Sequence, residues 1–81
     1  SLEQIAAKRT QLEAQLASLS QKLNSLPRTP MGLIPDSVRA TEEYSRPKAE
    51  YDRLFRQLQR LNSSLTPQQK RALRQRNRKA A

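Results

Sequence analysis

The sequence contains no cysteine and no histidine. Disulfides are therefore excluded as a source of stability, and zinc sites, which draw on Cys or His, are disfavoured. Glycine occurs once, at Gly32. Tight β-turns, phosphate-cradling loops and dinucleotide fingerprints all require glycines, so folds built on them are excluded. Aromatic residues are limited to Tyr44, Tyr51 and Phe55. No apolar run approaches the roughly 20 residues that span a bilayer, and the first residues lack the apolar stretch of a secretory leader. These features, with the missing cysteines, predict a cytoplasmic protein without a membrane segment.

What remains is rich in Leu, Ala, Gln, Arg and Lys, residues that suit helix. The 81 residues suffice for one small domain. A chain of this size buries only about 60% of its unfolded surface, so self-association is the expected route to added stability.

The clearest pattern is a heptad. Leu2, Ile5, Arg9, Leu12, Leu16, Leu19, Leu23 and Leu26 alternate at spacings of three and four, with no Pro or Gly between them. Such a repeat keeps one stripe against a partner helix. Arg9 interrupts the stripe, either as a register-setting polar residue or with its stem packed and its head in water. Tyr51, Leu54, Leu58, Leu61 and Leu65 repeat the same spacing; Tyr44 extends the stripe and Phe55 widens it. Between the stripes, Pro27, Pro30 and Pro35 enforce a connector.

The expected fold is all-α: an antiparallel, coiled-coil-like helical hairpin of residues 1–65, with helices at about 2–26 and 42–63 and a Pro-rich loop at 27–35. Pairing of two hairpins would bury the outer edges of the seam formed by Leu12, Leu16, Leu19, Leu23, Leu26, Tyr51, Leu54, Leu58 and Leu61. A parallel dimer through the first helix, with Lys8 facing Glu13 of a second copy, is the alternative. Thr41, followed by Glu42 and Glu43, marks a helix start. Pro47 then either kinks that helix or lies in the first turn of one beginning at Ser45. Met31, Leu33 and Ile34 in the loop either plug the end of the helix pair or dock another protein.

Thr66-Pro67-Gln68-Gln69 is a helix-start signal with a capping box. The segment beyond it, 66–81, has only Leu73 as a large apolar residue. An isolated helix this short is marginal, so the segment is expected to fray alone and to order on a partner.

Charge is segregated. Residues 53–81 carry nine cations and no acid, namely Arg53, Arg56, Arg60, Lys70, Arg71, Arg74, Arg76, Arg78 and Lys79, while the first 52 residues are neutral. Arg53, Arg56 and Arg60, and again Arg71, Arg74 and Arg78, recur at three and four residues, which forms basic rows on helix faces. Guanidinium groups grip phosphates bidentately. The expected function is non-enzymatic: an accessory or regulatory protein that binds DNA or RNA through backbone phosphates, without cofactor or metal. The alternative is a coiled-coil adaptor whose partner presents an acidic protein surface. Neither a nucleophile–base arrangement nor a convergent acid pair points to catalysis. The aromatics sit on the seam rather than among the cations, which disfavours base stacking. The basic segment is also too poor in apolar residues for an interfacial membrane helix.

Overall fold

A computed structural model describes residues 1–80, with side chains through Arg76. The chain is all-helical, in the order α1 (Leu2–Asn24), α2 (Asp36–Arg39), α3 (Glu42–Ser63) and α4 (Pro67–Ala80). The helices pack against each other. α1 lies along α3, α2 rests on α3, and α4 returns to touch α1.

α1 starts at a capping box: the Gln4 N–H donates to Ser1 Oγ at 3.3 Å, and the Ser1 nitrogen donates back to Gln4 Oε1. It stops at Asn24, short of the expected 26, since Pro27 cannot continue the helix and disfavours helical backbone at Leu26; the Ser25 hydroxyl donates to the Lys22 carbonyl at 2.7 Å at this end. Leu26 thus lies beyond the helix, yet remains half-buried.

The α1 stripe behaves as its spacing predicts at the centre. Leu12 and Leu16 are buried against Leu54 of α3, with Leu19, Tyr51, Leu58 and Leu61 packed around them. Leu23 is half-buried. Burying a leucine fully is worth about 1.5–3 kcal/mol, so this short leucine contact is the main adhesive between α1 and α3.

α3 is continuous from Glu42 to Ser63 with Pro47 inside it. Of the two expectations, the late start at Ser45 is not realised: the helix begins at Glu42 and runs on through Pro47. Pro47 lacks the N–H that would reach the Glu43 carbonyl, and the loss falls in the second turn, near the helix start. Thr41 occupies the N-cap position but makes no side-chain cap bond. Its hydroxyl donates instead to the Val38 carbonyl at 2.6 Å, which ties α3 to the end of α2.

α4 departs from expectation. The segment does not wait for an external partner: it is helical and docked on α1, with Leu73 only 2% exposed. The start signal works as read, since the Gln69 N–H donates to Thr66 Oγ1 at 3.1 Å and the Thr66 N–H donates to Gln69 Oε1 at 2.9 Å. Leu73 lies in a groove beside Ala6, Ala7 and Thr10 of α1, small residues that let α4 approach. At the rim of that groove Arg76 Nη1 donates to Glu3 Oε1 at 2.6 Å.

The molecule measures 46 × 23 × 17 Å, with a radius of gyration of 16.3 Å; a compact chain of this length would have about 12 Å. Its accessible surface is 6287 Å², against about 5,000 Å² for a compact monomer of its mass. Among the described residues no helix is long and apolar enough to cross a membrane.

Two outcomes follow for stability. Leu12→Ala should lower global stability by about 2–5 kcal/mol, read as an earlier melt of the whole circular-dichroism signal. Leu73→Ala should instead raise amide exchange across α4 while leaving α1 and α3 protected; an unchanged exchange pattern would contradict the docking role.

Acid should loosen the same helix. Arg76, through its hydrogen bond and then its charge, holds the Glu3 carboxyl below its ordinary pKa. A depressed folded value means that the bridge stabilises docking above the unfolded pKa, about 4.3, and that its contribution fades as pH falls through the folded value. Exchange in α4 should therefore rise under acid, and Glu3→Gln should remove that pH dependence.

Candidate nucleic-acid interface

The basic residues sit on α3 and α4. Arg53, Arg56 and Arg60 are exposed on α3; Lys70, Arg71, Arg74 and Arg76 are exposed on α4. The side chains of Arg78 and Lys79, which complete the predicted rows, lie outside the described residues.

Not all of these cations are unopposed. Arg53 is held by Glu50, with Nε donating to Oε2 at 3.1 Å, and this pairing raises its already high pKa. Arg76 is held by Glu3. Both acids come from outside the acid-free run, so the linear charge pattern overstates the free charge at these two positions. Among the described residues, Arg56, Arg60, Lys70, Arg71 and Arg74 have no carboxylate partner within ion-pair distance.

These five do not form one continuous row. Arg56 and Arg60 border a shallow groove with Gln59, Ser63 and Ser64 at the end of α3. Lys70 and Arg74 border a different cleft, together with Asn62, Leu65 and Arg9. Arg9 and Asn62 were not among the residues expected to carry function. The available signal was Arg9's place on an aliphatic stripe, where its side chain is half-buried and its Nε donates to Glu13 Oε1 at 3.1 Å.

The loop between α1 and α2 exposes apolar side chains. Met31 is 87% and Leu33 59% exposed, so these two residues do not plug the helix pair; Ile34 alone is half-buried. Hydrogen bonding holds the tip away from the helices. Gly32 N–H donates to the Thr29 carbonyl at 2.8 Å, Thr29 N–H to the Leu33 carbonyl at 2.7 Å, and Leu33 N–H to Thr29 Oγ1 at 3.1 Å. Gly32 has φ +83°, a conformation that glycine adopts without steric cost. Arg28 braces the turn, with Nη1 donating to the Gly32 carbonyl at 2.9 Å and Nη2 to Asn24 Oδ1 at 3.0 Å. Arg28 is thus a structural cation.

On α3 the aromatic face is internally paired. Tyr51 and Phe55 stack with centroids 6.1 Å apart, and Lys48 Nζ lies 5.8 Å from the Tyr51 centroid while donating to Asp52 at 3.0 Å. This face is apart from the free cations, and its rings are engaged with each other. No known protein family, curated protein or solved structure matches the chain.

Proposed function

We propose that the chain is a non-enzymatic accessory protein that binds nucleic acid through backbone phosphates. One observation carries the reading: Arg56, Arg60, Lys70, Arg71 and Arg74 stand exposed on two helices without carboxylate partners among the described residues. Ordinary surfaces intersperse both signs of charge. Cations left unopposed on regular elements suit a polyanion, whose condensed counterions are released on binding.

In this proposal α1 and α3 act as an antiparallel, coiled-coil-like hairpin, a stiff scaffold for the cations of α3 and α4. The half-buried outer residues of the seam meet a second copy. The accessible surface exceeds that of a compact monomer of this mass by about 1,300 Å², more than the roughly 800 Å² per partner that a standard interface covers.

A second reading has its own support. The exposed Met31 and Leu33, presented on a hydrogen-bonded turn, suit an adaptor that inserts this tip into another protein. A partner with an acidic surface would then meet the basic helices.

Fluorescence anisotropy with duplex DNA, duplex RNA and single strands over a salt series separates the two. The logarithm of affinity should fall linearly with the logarithm of salt concentration. The triple variant Arg56→Gln, Arg60→Gln, Arg71→Gln should reduce the magnitude of the duplex-DNA slope by about three while leaving the melting curve in place. No binding by the native chain at about 50 mM salt, where phosphate contacts are strongest, would overturn the proposal in favour of the adaptor. Met31→Ser with Leu33→Ser should leave nucleic-acid affinity unchanged, and folding stability within about 0.5 kcal/mol.

A further inference from the structure

α1, α3 and α4 meet around a cleft of about 290 Å³ lined by Arg9, Asn62, Leu65, Lys70 and Arg74. Its chemistry differs from that of the rest of the basic surface. Three cations come from two separate helices, and no acid lines the cleft. Lys70 and Arg74 are four residues apart on α4, so both project to the same side. Arg9 comes from α1, and the Asn62 amide from α3 adds further donors and an acceptor. Leu65, 7% exposed, supplies an apolar surface.

Arg9 is the informative member. A cation on an otherwise aliphatic seam costs stability relative to leucine, and a partly dehydrated charge needs a partner. Glu13 supplies one hydrogen bond, to Nε. A guanidinium has five N–H donors, so that bond leaves others available, and Arg9 stands between this cleft and the neighbouring groove that Glu13 and Glu3 line. Lys70 and Arg74, which have no carboxylate partner among the described residues, line the same cleft, and clustered cations of this kind suit an anion.

We propose that this cleft is a seat for one phosphate group of a nucleic-acid strand, held by Arg9 of α1 together with Lys70 and Arg74 of α4, with the Asn62 amide as an added polar contact. The inference rests on the nucleic-acid reading and sharpens it. The cations on the convex helix faces meet phosphates as screened charges, without fixing the strand. A phosphate in the cleft has one position, and it bridges two helices. It therefore sets where the strand lies on the protein, and it ties α4 to α1. Ligands that bind only the folded arrangement stabilise it by mass action, so seating a phosphate should tighten α4.

Two measurements on the full chain test this. The first follows thermal unfolding and α4 amide exchange in inorganic phosphate against chloride at equal ionic strength, which separates a specific site from general screening. Phosphate should raise the midpoint and slow α4 exchange. Arg9→Gln and Lys70→Gln should each abolish the effect, and Arg56→Gln should preserve it. Lys70 is exposed, so its variant remains informative even where Arg9→Gln disturbs the seam. Equal behaviour in phosphate and chloride, or a phosphate effect that survives both Arg9→Gln and Lys70→Gln, overturns the seat. The second measurement is the salt series with duplex DNA, where Arg9→Gln should reduce the magnitude of the slope by about 0.9, the value of one contact. Steep binding by the native chain with no change in Arg9→Gln overturns the seat and leaves the nucleic-acid reading standing. A phosphate effect that requires Arg9, in a chain that binds no strand, keeps the seat and overturns its assignment to nucleic acid.

Discussion

Leu12 and Leu16 of α1 against Leu54 of α3 form the contact on which the other features depend. Two helices meeting along a line bury a stripe rather than a centre, so few side chains leave water completely. The five buried apolar residues among those described are all leucines. Leucine is long enough to cross the gap between helices and costs little helix propensity. With so small a core, the loop, the cations and α4 take their positions from the way α1 and α3 are held. The elongation follows from the same cause: 23 residues of helix at 1.5 Å per residue outrun the length that a compact domain of this size would have.

Regular spacing was the most legible part of the sequence. The three-and-four alternation located the stripe that buries Leu12, Leu16 and Leu54, and Thr66 to Gln69 marked the start of α4 with its capping box realised on both sides. What escaped were features set by tertiary contact. One leucine in a basic segment, Leu73, reads as too little to hold a helix in place. It borders a groove lined by Ala6, Ala7 and Thr10 of α1, which lie off the heptad stripe. A pair of alanines marks a place where another helix can come close, but nothing local says which one. Met31 was similarly ambiguous. Its apolar character is consistent with a plug, and the geometry that exposes it comes from Gly32 at positive φ and from Arg28 bonding backwards to Asn24.

The candidate interface was legible as composition and not as geometry. Counting along the chain located Arg53, Arg56, Arg60, Lys70, Arg71, Arg74 and Arg76, all of them exposed on α3 and α4. It did not foresee that Glu50 and Glu3 would occupy Arg53 and Arg76, since one pair closes within a helix turn and the other joins residues 73 positions apart. Acids elsewhere are also engaged locally, Glu13 with Arg9, Glu42 with Arg46, and Asp52 with Lys48. Exposed pairs of this kind add little stability. Their consequence is electrostatic, because a carboxylate committed to a neighbour four residues away does little to cancel the field over α4.

Arg9 joins these two themes. At its position a leucine would lengthen the stripe and strengthen the contact between α1 and α3. An arginine there gives up aliphatic packing near the place where α4 returns to α1, and it puts Arg9 on the wall of the cleft bordered by Lys70 and Arg74. The local cost would be hard to account for in a chain whose only requirement was to fold, since so small a core has little stability to spare. It is intelligible where the same residue completes a site for an anion. Under that proposal, seam, docked helix and basic surface would be parts of one arrangement, in which a seated phosphate would supply the contact that the packing omits.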